Sequence, residues 1–381
     1  MPELMPVTPK IITWARERAG FSIEAAKADS RCRKIAEWES GENYPSYPQL
    51  EHMADKFRIP VAVFFFPDPP DLPAIEQTFR TLGPDQIADI PPRIRLLLRK
   101  ARTFQMGLEE LNGGRNPAAR LIIRDLAFRP GDDIRRIADD LRHYLGVTPA
   151  RQSEWKNADS ALDEWRRILL DVGVYVFKDQ FRAPEYSGFC LYDDEFPIIY
   201  VNNTTANTRQ IFTLFHELGH LLFHTSGVDT QGDDFVDRLT GDERRIEVHC
   251  NRLAACFLVP EDRFGEALRN RPATEETAAA LAQHFHVSRE VIFRKFLDRD
   301  LITTAEYKQA AKKWDDQAGN QGRPGGNHYY TKIAYLGTEY IKLAFQHFYQ
   351  NRIDDIQLAE ILGTKPKHLT RLEEYVLKKE N

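Results

Sequence analysis

The stretch IFTLFHELGHLLFH, residues 211–224, places three histidines and one glutamate among Leu, Phe, Ile, Thr and one Gly. Burying a carboxylate without a partner costs much free energy, so a folded chain keeps one in an apolar segment only where something compensates for it. Two interpretations are open. Either the polar groups hydrogen-bond one another inside a core helix, or they bind a ligand.

The first two histidines of this stretch, with the glutamate between them, have the spacing of a metal site. His216 and His220 are four residues apart, so on a helix they lie on one face, about one turn from each other. Both imidazoles can then reach one zinc ion (Zn²⁺) at about 2.0–2.1 Å. Glu217 lies beside the first histidine, where it can act as general base on a water whose pKa the metal lowers. The pattern therefore predicts a hydrolytic zinc centre with Glu217 as its catalytic residue.

A catalytic zinc ion needs a third protein ligand, and three residues are candidates. His224 continues the histidine series, but on one unbroken helix it lies two turns from the first histidine and cannot easily share a tetrahedral ion. Glu247 and His249 are two residues apart on a following helix, about 200° apart around its axis, so only one can face the metal. We favour Glu247, because Asn251 lies four residues later on the same face and could hydrogen-bond to a ligand of the metal.

The same segments resemble the ImmA/IrrE family of metallopeptidases, over roughly residues 160–300. The segments that carry the resemblance are YSGFCLYDDEFPIIYVNN, TRQIFTLFHELGHLLFH and IEVHCNRLAACFLVP. The resemblance implies a zinc-dependent endopeptidase that cleaves a protein substrate, a repressor-type transcription factor. It also implies the roles of the site residues: His216, His220 and Glu247 match the family's ligands, and Glu217 matches its catalytic glutamate.

The beginning of the chain is similar to a longer subgroup of that family, which carries an N-terminal helix-turn-helix unit of the Xre type. ITWARERAGFS and IAEWESGENYPSYPQLEHMADKF carry this resemblance, but the turn between the helices is shortened to DSRCR. A helix-turn-helix needs that turn to aim its second helix into the major groove. Arg31, Arg33 and Lys34 could still contact DNA phosphates. A packing or partner-recognition unit without a DNA role is the alternative.

The patterns along the chain predict an α+β fold that is predominantly helical. The 381 residues suffice for two or three domains, and three strand-like runs, VYVFKD, YSGFCLY and FPIIYVN, precede the motif. We expect a zincin-like metallopeptidase core with a small β-sheet, flanked by helical, helix-turn-helix-like domains. The expected boundaries are an Xre-like unit at 1–68, a helical linker region at 69–150, the zinc metallopeptidase domain at 151–300, a flexible linker at 301–327 and a C-terminal helical domain at 328–381.

Two further segments have the sequence pattern of a helix-turn-helix: TAAALAQHFHVSREVIFRKFL and LAEILGTKPKHLTRLEEY. Each pairs an apolar helix with a short turn and a second helix. Small helical hairpins in general look the same, so we interpret both segments as structural.

Composition and charge point to a cytoplasmic protein without a membrane segment. The formal net charge is −5, so any DNA contact has to come from a local basic patch. No secretory signal and no apolar run long enough to span a bilayer is visible. The four cysteines are scattered, which is typical of reduced thiols. Cys190, in the strand before the motif, could reach the zinc and displace its water as a latch, although strand cysteines are usually core residues.

Three functional hypotheses follow. The first is a cytoplasmic zinc endopeptidase that cleaves a repressor and so switches transcription in a stress or phage-related response. The second is a DNA-binding transcriptional regulator in which the metal site is structural or vestigial. The third is the toxin-like member of a two-gene module, on which the sequence has no bearing.

Overall fold

The computed structural model describes residues 3–71, 90–129, 131–225, 228–230, 241–318 and 326–380. The chain divides into two compact units, Met1–Lys100 and Ala101–Asn381. The helix Pro92–Leu111 contains the point of division. In the described part of the chain, no helix is both long and apolar enough to cross a bilayer.

The first unit is a small helical bundle with a core of its own. Its helices are Pro9–Arg18, Ile23–Lys27, Ile35–Ser40 and Tyr47–Phe57, with 3₁₀ turns at Ser30–Cys32 and Val61–Phe65. Trp38, Phe57 and Phe64 are fully buried in its centre, where large aromatic side chains contribute much of the hydrophobic stabilisation. The short segment DSRCR forms the first 3₁₀ turn, begun by the side chain of Asp29, which accepts a hydrogen bond from the backbone of Arg31 at 3.1 Å.

A four-stranded mixed sheet forms the centre of the second unit. Its strands are β1 (Tyr175–Asp179), β2 (Tyr186–Leu191), β3 (Ile198–Asn202) and β4 (Val228–Thr230), in the order β1-β3-β2-β4. β1 pairs with β3 in parallel, whereas β2 is antiparallel to both β3 and β4. The predicted α+β, predominantly helical fold with a small sheet is confirmed. β4 is an addition, since three residues are too few to show a strand pattern.

The helices of the second unit pack on this sheet and on one another. They are Ile122–Asp125, Ile134–Leu145, Pro149–Ser153, Ala158–Asp171, Asn207–Leu222 (the motif helix), Gly241–Leu258 (the ligand helix), Glu261–Leu268, Glu275–Phe285, Arg289–Asp298, Thr304–Ala318, His328–Leu336, Thr338–Tyr349, Asp355–Ile361 and Leu369–Glu380.

An aromatic cluster joins three of these helices. The Trp165 ring lies edge-on to Phe215 of the motif helix, with centroids 4.7 Å apart, and Phe215 stacks on Phe257 of the ligand helix at 4.3 Å. All three side chains are buried, and aromatic pairs in such geometries add stabilisation beyond the area that they bury. The cluster therefore fixes the motif helix between its two neighbours.

The domain boundaries expected from the sequence do not coincide with the two units. Ile122, Ile137 and Leu141, from the expected linker region, are buried in the same core as the motif helix. At the other end, the Tyr340 ring lies 5.1 Å from Phe177 of β1, so the C-terminal helices also pack on the sheet.

The expected flexible linker at 301–327 is helical in its first half, and this corrects the prediction. The helix Thr304–Ala318 buries Tyr307, Ala310 and Trp314 against the core of the second unit. These residues recur at intervals of three and four, which places them on one helical face. The Gly-rich residues that suggested a linker lie mainly at 319–325, outside the described residues.

Gly188 of β2 lies where the motif helix comes closest to the sheet. A Cβ atom at this position would lie 2.4 Å from Thr213 Cγ2 and 2.9 Å from the Tyr200 carbonyl oxygen. Both distances are too short for real atoms, so only glycine lets the helix and the strand approach this closely.

We expect Gly188→Ala to lower the free energy of unfolding of the second unit by about 1–3 kcal/mol, because the added methyl group overpacks the contact. Urea unfolding followed by circular dichroism measures the change. Gly265→Ala is the matched control: its Cβ would meet only the Arg299 guanidinium, at 3.7–3.8 Å, so the helical position should gain about 0.5–1 kcal/mol. A Gly188→Ala protein as stable as the parent would contradict the close approach.

Candidate metal centre

The motif helix brings two imidazoles together in a buried position. His216 and His220 are 1% and 3% exposed, and their Nε2 atoms lie 3.2 Å apart. The histidines are one helical turn apart, as their spacing predicts. Their side chains point into the interface with the ligand helix and not towards solvent.

Glu247 of the ligand helix completes this group. Its Oε1 lies 3.1 Å from His220 Nε2 and its Oε2 lies 3.4 Å from His216 Nε2. Two ligand atoms that bind the same tetrahedral zinc ion at 2.0–2.1 Å are separated by about 3.3–3.4 Å. The three observed separations lie within about 0.2 Å of that range. Two imidazole nitrogens and one carboxylate also form a donor set that zinc prefers, so the residues fit the ion.

The outer nitrogens of both imidazoles are held by neighbouring side chains. His216 Nδ1 lies 3.1 Å from Asn251 Oδ1, and His220 Nδ1 lies 3.3 Å from Thr225 Oγ1. The Thr225 hydroxyl donates its one proton to the His220 carbonyl oxygen at 3.0 Å, so it accepts from Nδ1. With the proton on Nδ1, each Nε2 presents a lone pair to the centre of the group.

The electrostatics keep Glu247 ionised. Burial alone would raise the pKa of this carboxyl group, but without an ion the charge and hydrogen bonds of protonated His220 and His216 outweigh burial and hold the pKa well below its usual value. A bound cation would replace those protons and favour the carboxylate in the same way. The carboxylate is therefore available as a negatively charged ligand.

A close crossing of the two helices makes this geometry possible. A Cβ atom at Gly219 would lie 3.1 Å from Cys250 Sγ and 3.3 Å from Cys250 Cα. Gly219 precedes His220, and Cys250 lies between Glu247 and Asn251. The glycine thus lets the ligand helix approach at the height of the three ligands.

The expected catalytic residue follows His216 in the motif helix, and its carboxylate lies between that helix and β2. Glu217 is fully buried, and a Cβ atom at Gly188 would lie 3.7 Å from its Oε1. The absence of a side chain at Gly188 leaves space for the carboxylate next to the strand. A glutamate that directly follows a zinc-binding histidine can act as a general base.

The other two candidates for the third ligand lie elsewhere. The motif helix ends at Leu222, and His224 adopts a left-handed backbone conformation, with φ of 57°, and stacks on Tyr192. His224 therefore lies outside the group, because the motif helix ends before it. His249 Nε2 accepts a hydrogen bond from the Gly131 backbone at 3.0 Å and faces away from the group.

Cys190 is fully buried on β2, and its thiol lies 3.8 Å from the Thr225 carbonyl oxygen. It is not among the residues whose ligand atoms converge, which are His216, His220 and Glu247. Its role as a latch stays a prediction.

The basic residues predicted to contact DNA lie in the first unit, where Arg31, Arg33 and Lys34 are exposed. Lys34 lies 3.6 Å from a carboxylate oxygen of Glu37. Their exposure is compatible with phosphate contacts, and DNA binding by this unit stays a prediction.

A second group of potential metal ligands lies beside them, formed by Asp29, Cys32 and His52. The Asp29 Oδ2 atom already lies 2.7 Å from His52 Nε2 and 3.0 Å from Lys56 Nζ. An ammonium group at that distance repels a cation, so we interpret this group as an ion-pair network that holds the 3₁₀ turn.

Thr225 contacts the ligand His220 and was not predicted from the sequence. It lies three residues beyond the end of the motif helix, and the chain must reverse there for its hydroxyl to reach His220. A polar residue just after a helix end is common, so the sequence offers no distinctive signal for it.

The comparisons with known proteins agree with this geometry. Residues 170–296 match the family model described as the IrrE N-terminal-like domain (Peptidase_M78), and this range contains all three candidate ligands and Glu217. The radiation response metalloproteases IrrE of Deinococcus radiodurans and Deinococcus deserti are each 36% identical to this chain over 99 residues, or 26% of its length. The match covers 30% of the first relative and 34% of the second, about a third of each.

Residues 170–296 are therefore similar to the IrrE N-terminal-like domain of the ImmA/IrrE family, and the resemblance inferred from the motifs is confirmed for this part of the chain. The matched range does not include residues 1–68, so their Xre-type identity stays a prediction.

We expect Asn251→Ala to weaken zinc binding by about 10–100-fold, because His216 loses the acceptor that fixes its ring and its proton. Competition with a chelating dye measures the dissociation constant. Asn112→Ala is the matched control, since the Asn112 amide only donates to the Leu108 carbonyl of its own helix. Equal zinc affinity in the two variants would show that Asn251 does not support the ligand.

Proposed function

We propose that this chain is a zinc endopeptidase. The observation that carries the proposal is the convergence of His216, His220 and Glu247 at separations suited to one tetrahedral ion. The buried Glu217 directly follows the first of these ligands in the motif helix. Three protein ligands leave one coordination position open, as catalytic zinc sites require. Structural zinc sites are closed by four ligands, which argues against the alternative of a DNA-binding regulator with a structural metal.

The proposed mechanism assigns each residue one task. His216, His220 and Glu247 would hold the ion, which when bound polarises a carbonyl group and lowers the pKa of water. Glu217 takes a proton from the water that attacks the peptide carbonyl carbon and returns it to the nitrogen of the leaving amine. Asn251 and Thr225 keep the imidazoles in the orientation and tautomer that binding requires.

The substrate and the setting belong to the same proposal and rest on the family resemblance. We infer a protein substrate, a repressor-type transcription factor, whose cleavage would release transcription in a stress or phage-related response. We also infer a cytoplasmic location, because none of the four cysteines, Cys32, Cys190, Cys250 and Cys256, forms a disulfide bond in the described part of the chain, and such thiols persist in a reducing compartment.

We expect Glu217→Gln to retain zinc at one ion per chain and to lose cleavage by about 100-fold or more, because the amide cannot accept the proton. The purified variant is incubated, with and without zinc, with a repressor encoded near its gene, and products are followed by mass spectrometry. Zinc content is measured on the same sample.

Glu266→Gln is the control, since this glutamate lies on the surface and pairs only with Arg263. It should cleave as the parent does. Undiminished cleavage by the Glu217→Gln protein would refute the catalytic assignment.

A further inference from the structure

The C-terminal segment folds into two helices joined by a seven-residue connection that contains a 3₁₀ turn, Pro366–His368. Asp355–Ile361 and Leu369–Glu380 are linked by residues 362–368, in which Gly363 has a positive φ of 57°. Most apolar side chains of the segment are buried, namely Leu358, Ala359, Leu362, Leu369, Leu372 and Val376, whereas Ile356 and Leu377 are exposed. The arrangement is a helix-turn-helix, whose second helix keeps its opposite face towards solvent.

This hairpin is fixed to the second unit by polar contacts on its inner side. Lys332 Nζ donates to the Gly363 carbonyl oxygen at 2.7 Å, and Tyr340 donates its hydroxyl to the Ile361 carbonyl oxygen at 3.1 Å. Tyr349 donates to the Glu373 carboxylate at 2.7 Å. The outer face therefore has a defined orientation relative to the rest of this unit.

The outer side of the connection and the second helix is basic. Lys365, Lys367 and Arg371 are exposed, and the sequence from Ile361 to Leu372 contains no acidic residue. Among the side chains that the structure describes, no carboxylate forms an ion pair with any of the three. We call this surface, formed by Lys365, Lys367, His368 and Arg371, the C-terminal basic face.

His368 lies among these positive charges, and its pKa is lowered. Partial desolvation lowers its pKa, and the charges of Lys367, His328 and Lys365 lower it further. Tyr329 holds the ring, with its hydroxyl 3.1 Å from His368 Nδ1, so the imidazole is part of an ordered surface.

We propose that the C-terminal basic face binds duplex DNA through its phosphates. In a helix-turn-helix the second helix enters the major groove, and neighbouring basic residues contact the backbone. The face has a helix that follows a seven-residue connection, and three positive charges, two in that connection and one in the first helical turn, that pair with no described carboxylate. Because the chain as a whole is negative, this local charge complementarity is what identifies the partner. The inference is independent of the peptidase activity.

The proposal is tested with the full-length chain, without added zinc, and a fluorescent mixed-sequence duplex of about three helical turns. We expect binding that weakens steeply between about 50 and 200 mM salt, as phosphate contacts require. The triple variant Lys365→Gln, Lys367→Gln, Arg371→Gln should bind at least tenfold more weakly. Its plot of log affinity against log salt should be less steep by about 0.9 for each lost contact.

Three controls make the result decisive. The triple variant Arg167→Gln, Arg263→Gln, Lys313→Gln removes the same charge from exposed residues that pair with carboxylates, and it should bind as the parent does. Arg31→Gln with Arg33→Gln removes basic residues of the first unit and should leave the contribution of the C-terminal face intact. Circular dichroism confirms that each variant is folded.

Several outcomes would overturn the proposal. The first two are no binding of the duplex by the parent chain and an equal loss of affinity in both triple variants. The third is a complete loss of binding in the Arg31 and Arg33 variant with no loss in the C-terminal variant. The fourth is equal affinity for a single strand of the same length.

Discussion

The structure of the second unit depends on one helix crossing. The motif helix and the ligand helix meet where Gly219 faces Cys250, and a methyl group at that glycine would lie only 3.1–3.3 Å from atoms of the cysteine. Only at this separation does the Glu247 carboxylate come within 3.1–3.4 Å of both imidazoles. Two lone pairs and a carboxylate facing one another in a buried space repel unless a cation lies between them. A metal ion at the centre would remove this repulsion, and so would protons on the imidazoles, whose charge and hydrogen bonds lower the pKa of Glu247.

The second constraint is the close contact between the motif helix and β2. Gly188 lets the helix rest on the strand, and the space left by its missing side chain lies next to Glu217. The aromatic cluster of Trp165, Phe215 and Phe257 holds the opposite side of the helix. The helix is thus fixed between apolar packing on one side and a glycine contact on the other. A buried carboxylate keeps a defined position in such a frame, as a general base needs.

The parts of the site that the sequence could predict are those determined within single helices. The spacing of His216 and His220, and that of Glu247 and Asn251, is a property of helix periodicity, and both pairs lie where the spacing placed them. Thr225, Gly188 and β4 could not be predicted in the same way, because their roles arise from a chain reversal and from a contact between a helix and a strand. The helix Thr304–Ala318 escaped prediction because the Gly-rich residues after it dominated the local composition.

The order of the strands separates the two proposed functions in space. Glu217 lies next to β2, whereas the C-terminal helices pack on β1, and β3 lies between these strands. Charges on the helix Leu369–Glu380 can therefore change without disturbing the ligands. The sheet and its covering helices nevertheless form one compact unit, so DNA bound at the C-terminal basic face would orient the metal centre with it. A peptidase held in this way would meet a DNA-bound repressor at a high effective concentration, which gives a physical reason for the two surfaces to occur in one unit.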